Sequence, residues 1–255
     1  MSDLARIAEI ADEAARTGTA IPQFSDEAQL TMEQAYAIQA LSMQRRYARG
    51  ERRVGIKMGF TSRAKQVQMG LDDLIWGRLT SGMQEEEGGI INFSRYVHPR
   101  VEPEIAYLIK HELSGNVTPI QALAAVEAVA PAMEIIDSRY DNFKFDLGDV
   151  VADNSSSSGF VLGNWFPKDT DVTNLGLVLS IDGRAQQIGS TAAILGNPIR
   201  ALVAAARVAA SAGEVLAPGD IVLAGGATAA VALAPGMAVE TTFETLGTVA
   251  FNVGE

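Results

Sequence analysis

Apolar residues early in the chain (Leu4, Ala5, Ile7, Ala8, Ile10, Ala11, Ala14 and Ala15) recur at helical spacing and predict an amphipathic helix. A second stripe through Ala35, Ile38, Leu41 and Met43 begins behind Thr31, which reads as its N-cap, and stops at Gly50. Beyond Arg53 the pattern changes. Val54-Gly-Ile-Lys-Met-Gly-Phe-Thr is short, β-branched and glycine-punctuated, and it predicts a strand or tight loop leading into a helix over 62–69.

After the acidic turn Glu85-Glu-Glu-Gly-Gly, strand-like runs fall at 101–109, 132–136, 159–162, 177–181, 221–224, 238–243 and 247–251. Two helical stretches, 119–129 and 197–212, interrupt them. Strands outnumber helices without regular alternation, which disfavours a doubly wound parallel sheet. The expected fold is α+β: a mixed, mainly antiparallel β roll with a helical N-terminal region. Helical character should fade near residue 50, and the expected division is 1–84, mostly helical, and 85–255, β-rich and catalytic. No repeat of fixed period is present, and Asn154-Ser-Ser-Ser-Ser reads as a loop.

Composition narrows the partners. The 255 residues, 47% hydrophobic and 20% charged, suit a compact enzyme-sized unit and exclude disorder and coiled coil. A net charge of -11 repels nucleic acid and anionic lipid, so neither is an expected partner. With no Cys and two His, a metal must be held mainly by oxygen, and neither disulfides nor thiol nucleophiles are available. The first sixteen residues lack the basic and apolar segments of a secretory signal, and no apolar run is long enough for a membrane span. A cytosolic location is therefore expected.

Glu102-Pro103-Glu104 places two carboxylates on one face of a strand, and Glu134 sits in the apolar run Ala-Met-Glu-Ile-Ile. Three such carboxylates form a hard oxygen set suited to Mg²⁺ or Mn²⁺. A plainer reading leaves the pair on a solvated edge and Glu134 beside Arg139. Lys57, between Gly55 and Gly59, either snorkels to solvent or stabilises a developing oxyanion. Asp153, Asn154 and the following serines line a site or simply make turns. Ala224-Gly-Gly-Ala-Thr matches no phosphate-binding motif and reads as close packing or backbone approach to a ligand. His98 and His111 read as structural.

Lys57-Met-Gly-Phe-Thr-Ser-Arg-Ala-Lys-Gln-Val-Gln-Met-Gly, Glu102-Pro-Glu, Glu134-Ile-Ile-Asp-Ser-Arg-Tyr-Asp-Asn-Phe-Lys-Phe-Asp, Val151-Ala-Asp-Asn and Gly225-Gly-Ala-Thr-Ala-Ala-Val-Ala-Leu-Ala-Pro-Gly occur in one order. Together they resemble the hydratase/decarboxylase family of catechol meta-cleavage, which has the fumarylacetoacetate hydrolase-like fold. The resemblance runs from about Thr31 to Val253. It implies Mg²⁺ or Mn²⁺ on Glu102, Glu104 and Glu134, Lys57 beside a small 2-oxo dicarboxylate substrate, and no organic cofactor. It also implies substrate-binding positions at Ser156, Thr228, Ile75 and Asp153, the last more as a shaper of its loop. In Gly70-Leu-Asp-Asp-Leu-Ile-Trp-Gly, Ile75 stands where resembling hydratases carry an acid before the aromatic-Gly pair. An Ile cannot relay a proton to or from water, so the decarboxylating branch is implied: 2-oxo-3-hexenedioate to 2-hydroxypenta-2,4-dienoate and CO₂. Hydration of the dienoate is the alternative, kept open by Asp72 and Asp73. A homo-oligomer, and a complex with the downstream dienoate hydratase, are further implications.

Overall fold

A computed structural model of the chain describes residues 3–27, 29–62 and 74–255. The helix expected over 62–69 and the residues Asp72 and Asp73 therefore fall outside the described residues, Ser62 excepted. The described α-helices are α1 (Asp3–Thr17), α2 (Met32–Ala48), α3 (Pro119–Ala124), α4 (Leu147–Ala152) and α5 (Ile199–Ser211). At the start of α2 the Thr31 hydroxyl accepts from the Gln34 amide at 3.2 Å while Gln34 Oε1 accepts from the Thr31 amide at 3.0 Å. This reciprocal cap satisfies two otherwise orphaned donors. Gly50 closes the helix at φ +100, where an L side chain is strained. Buried Asp12 on α1 accepts from Arg45 on α2 at 3.0 Å and from Arg49, which caps the end of α2, at 2.6 Å, clamping the two helices together.

One sheet contains β1 (Arg53–Gly59), β2 (Ile75–Thr80), β3 (Gln84–Glu85), β5 (Pro99–Ile109), β6 (Val126–Asp137), β7 (Ser157–Leu162), β8 (Phe166–Pro167), β11 (Ile221–Leu223) and β12 (Val231–Ala232). Its order is β2-β1-β11-β5-β6-β7-β3, with β12 beside β5 and β8 beside β6. A second sheet contains β4 (Ile90–Ile91), β9 (Gly176–Ile181), β10 (Arg184–Ser190), β13 (Ala238–Phe243) and β14 (Gly247–Val253), in the order β10-β9-β13-β14-β4. Most pairings are antiparallel; β1 with β11, β3 with β7 and β14 with β4 are parallel. This is the mixed β roll the sequence implied.

Alternation along the strands separates core from site. Val101 and Ile105 on β5, and Met133 and Ile135 on β6, are fully buried in one cluster with Leu177, Leu179, Val239, Phe243, Val249 and Phe251 of the second sheet. The intervening residues Arg100, Glu102 and Glu104 occupy the other face of β5. Helices α1, α2 and α4 pack Ala8, Ala35, Ile38, Val150 and Val151 against Ile75. Helix α5 buries Leu202, Ala205 and Ala209 in the main core, so its small-residue face is internal packing.

Topology corrects the expected division at residue 84. Strands β1 and β2 are integral to the larger sheet, so the helical part ends at Ala48. The helix expected over 119–129 stops at Ala124, and Val126 begins β6, which pairs with β5 along almost its whole length. Tertiary pairing there overrides the helix propensity of the alanines. Strand β2 and helix α4 were not anticipated, nor was the polar edge strand β10. Asp182-Gly183, both at positive φ, form the hairpin turn that announces β10. Among the described residues no helix is long and apolar enough to cross a membrane.

Candidate functional site

Glu102 and Glu134 are direct cross-strand partners in the β5–β6 register, and Glu104 pairs with Ala132. Opposed residues of an antiparallel pair share a face, so all three carboxylates converge. One oxygen of each lies within 4.8 Å of the others, and the residues are 7%, 0% and 1% exposed in chain order. Lys57 joins them from β1, two strands away from β5, at 4% exposure. Its Nζ lies 3.2 Å from Glu134 Oε2 and 3.1 Å from Oε1. The solvated-edge reading is thus excluded, and Arg139 belongs elsewhere.

The sheet opens beside this cluster. β5 pairs with β12 at Arg100–Val101 and with β11 at Ala106–Leu108. Between them the loop after β11 spans the gap, with Ala224 and Ala227 amides donating to Ile105 and Pro103 carbonyls at 2.9 and 2.8 Å. Pro103, lacking an N–H, costs no ladder bond there. The same loop explains Ala224-Gly-Gly. Gly225 has φ +106 and donates its amide to Glu104 Oε2 at 2.7 Å, and a Cβ there would collide with Thr61. A Cβ on Gly226 would collide with the Glu102 carboxylate.

The other oxygen of Glu104, Oε1, is buried without a hydrogen-bond partner. Three buried carboxylates face one lysine, an arrangement that costs several kcal/mol unless protons or a cation neutralise it. Hard oxygen donors, an orphaned carboxylate oxygen and excess negative charge all fit a divalent metal. Burial, then Glu134 and Glu102, raise Glu104 well above the ordinary carboxylate range. Burial also raises Glu134, against the lowering influence of Lys57. The metal-free folded state therefore holds protons that the unfolded chain has released. Stability from this source is complete below the ordinary carboxyl value of 4.5 and is lost as pH rises through the elevated folded-state value. Metal-free protein is expected to lose thermal stability relative to Glu104→Gln as pH is raised, and Mg²⁺, which the wild type binds more tightly, should remove or reverse that disadvantage. Parallel Tm-versus-pH curves for the two metal-free proteins would contradict this.

A cleft of about 600 Å³ opens from the cluster. Lys57, Glu102 and Glu134 line it together with Ile75, Ser156 and Thr228, three residues named from the sequence. Ser155, one of the serines read as site-lining or turn-forming, adds polar wall, while Phe60, Ile136, Phe143, Phe145 and Val150 supply further apolar wall and Arg100 polar wall, none of them singled out from the sequence. Arg100 was legible by the alternation that grouped Glu102 with Glu104; the aromatic residues were not, because loops bring them in. Ser156 is aimed by a run of three left-handed residues, Asn154, Ser155 and Ser156, at φ 51, 52 and 61. Such backbone costs about 1 kcal/mol per residue and persists where surroundings enforce it. Here Asn154 exchanges bonds with the Arg78 backbone at 2.8 and 2.9 Å, and the Ser155 hydroxyl donates to the Trp76 carbonyl at 2.7 Å.

Asp153 does not line the cleft. Its carboxylate binds the Arg139 guanidinium at 2.6 Å, both side chains buried, and Arg139 also donates to the Asp153 carbonyl at 2.7 Å. Burial pushes the Asp153 carboxyl up to about 7, with Arg139 pulling it down. The pair braces the strained loop, and Asp153, expected among the substrate-binding residues, is not part of the cleft wall. The His98 ring bonds the Ser138 carbonyl at 2.9 Å and stands edge-on to Phe143, a structural role.

Residues 55–254 match the fumarylacetoacetate (FAA) hydrolase C-terminal family. The chain belongs to that family. Within it, the chain is 61% identical to a 4-oxalocrotonate decarboxylase of a Pseudomonas species, over 98% of this chain and 97% of the relative. It is 36% identical to the TodF product hydratase of Pseudomonas putida, over 96% and 92%. The 4-oxalocrotonate decarboxylase of Pseudomonas putida G7, solved with magnesium and adipate, superposes at a TM-score of 0.95 with 36% identity, covering 98% and 97% of the two chains. The carboxylate cluster, Lys57 and the glycine loop all lie inside the family match.

Proposed function

We propose that this chain is a metal-dependent carboxy-lyase of catechol meta-cleavage, converting 2-oxo-3-hexenedioate (4-oxalocrotonate) into 2-hydroxypenta-2,4-dienoate and CO₂. The observation that carries this reading is the buried carboxylate triad with Lys57, of which Glu102, Glu134 and Lys57 line a cleft walled largely by apolar side chains. The 61% identity to a decarboxylase supports it, as does the relative solved with adipate, a six-carbon diacid like the proposed substrate.

Mg²⁺ or Mn²⁺, held by Glu102, Glu104 and Glu134, would supply the Lewis acid that draws electrons toward the 2-oxo group. When the bond to the distal carboxyl carbon breaks, its electron pair stays on the chain and becomes a new double bond. The conjugated electrons shift onto the 2-oxygen, CO₂ leaves, and protonation of that oxygen gives the dienol. Lys57 places an ammonium beside the triad, in the wall of the cleft where this charge collects. That favours the transition state over the ground state. Ser156 and Thr228 supply hydroxyl donors from the cleft wall. Ile75 and Phe60 keep water from the nascent dienol, and water addition is the competing hydratase outcome. No organic cofactor enters this scheme. The reaction belongs in the cytosol, in a homo-oligomer that passes its dienol to a hydratase.

Incubation of the purified protein with 2-oxo-3-hexenedioate and Mg²⁺ is expected to release one CO₂ per dienol formed, with EDTA abolishing both. Water addition to 2-hydroxypenta-2,4-dienoate without CO₂ release from the diacid would assign the hydratase activity instead.

A further inference from the structure

We propose that Arg100 is the residue that reads the distal carboxylate of the substrate, making the cleft selective for dicarboxylates over monocarboxylates. The proposal rests on the substrate class assigned above and extends it to a residue outside the metal centre. Arg100, Glu102 and Glu104 stand at alternate positions of β5, so one strand face carries the metal-binding carboxylates and then, one step outward, a guanidinium. That step is about 6.6 Å, comparable to the distance from the chelating end of a six-carbon diacid to its far carboxylate. Arg100 lines the same cleft as Glu102, Glu134 and Lys57.

Its surroundings hold the side chain in place without neutralising it. The guanidinium carbon lies 4.2 Å from the centre of the Phe143 ring. Phe143 is itself set by edge contacts with His98 and Phe145, at 6.0 and 5.3 Å between ring centres. A stacked, preordered guanidinium loses little entropy on binding a carboxylate. Arg100 Nε is buried without a hydrogen-bond partner, and among the described residues no carboxylate pairs with this side chain. Lys57, the other cation among the described cleft residues, is taken up by Glu134. A buried donor left unpaired in the wall of a cleft offers a carboxylate a place to bind.

The two cations then divide the work. The distal carboxylate carries its charge in the ground state and surrenders it as CO₂ leaves, while charge grows on the 2-oxygen near Lys57. Arg100 therefore contributes to substrate binding more than to the chemical step, a contact weakened in the transition state.

Calorimetry on the Mg²⁺-loaded protein tests this with 2-oxoadipate and 2-oxohexanoate, which share length and chelating end but differ in the distal carboxylate. Neither carries the conjugated double bond that turnover needs. Wild type is expected to prefer 2-oxoadipate by about tenfold or more, as befits a hydrogen bond to a charged group. Arg100→Met should erase that preference by weakening 2-oxoadipate alone, leaving 2-oxohexanoate within about twofold. In turnover of 2-oxo-3-hexenedioate the same variant should raise KM by about tenfold or more with kcat within about threefold. Arg100→Lys should restore part of the preference. Equal weakening of both ligands, or a preference surviving in Arg100→Met, would overturn the role of Arg100 while leaving the substrate class intact. Failure of both ligands to bind wild type would overturn the substrate class and this inference together.

Discussion

Glu104→Gln is expected to lower affinity for Mg²⁺ and Mn²⁺ by at least about a hundredfold and kcat/KM for decarboxylation by about a thousandfold. The substitution keeps shape and volume, and the amide oxygen can still accept from the Gly225 N–H that now binds Oε2 at 2.7 Å. What it removes is one negative charge from a fully buried cluster whose other oxygen, Oε1, has no protein partner. Without metal that charge is a liability, opposed by burial and by Glu134 and Glu102. The metal-free variant should therefore melt at or above the temperature of the metal-free wild type. Titration calorimetry, CO₂ release and thermal melts together separate loss of the ion from loss of the fold. Wild-type metal affinity in Glu104→Gln would end the assignment of the metal site.

Lys57→Met is expected to act on the other side of the same chemistry. The variant should bind Mg²⁺ and substrate nearly as wild type does but lose about a hundred- to a thousandfold in kcat, the usual cost of deleting a preorganised group that meets developing oxyanion charge. It should also destabilise the metal-free protein by about 3 kcal/mol, because Glu134 would be left buried without its cation. Saturating Mg²⁺ should recover much of that loss, since the ion then supplies positive charge to Glu134. Steady-state kinetics at saturating metal and melts with and without Mg²⁺ provide the readouts. A kcat within threefold of wild type would remove Lys57 from the catalytic step. The contrast with Arg100→Met, where KM moves and kcat holds, makes the two cations distinguishable in one set of assays.

Much of this site was readable along the chain because strand geometry is simple. Period-two alternation alone puts Glu102 and Glu104 on one face, and an acid in the run Ala-Met-Glu-Ile-Ile must be paired or neutralised wherever it lands. The N-cap at Thr31 and the termination at Gly50 are equally local and appear as expected. Errors arose where local preference lost to distant pairing. Residues 126–129 continue an alanine-rich helical pattern, yet they form the start of β6 because β5 lies alongside them. Polar β10 offered no apolar alternation at all, and only its Asp182-Gly183 turn signalled a hairpin.

The amino-acid order by itself determined the inventory of this protein: oxygen donors in place of thiolates, a lysine between glycines, and strands too numerous and irregular for a doubly wound sheet. Tertiary structure decided the partnerships. Glu134 faces Glu102 across the β5–β6 register and takes Lys57 from a strand 77 residues away, while Arg139 goes to Asp153 behind the loop. Arg100 is left with an aromatic ring beneath it and an unpaired nitrogen. A chain specifies which charges exist, but burial makes each one seek a counter-charge, and which one it finds depends on strand register and loop packing across the whole fold.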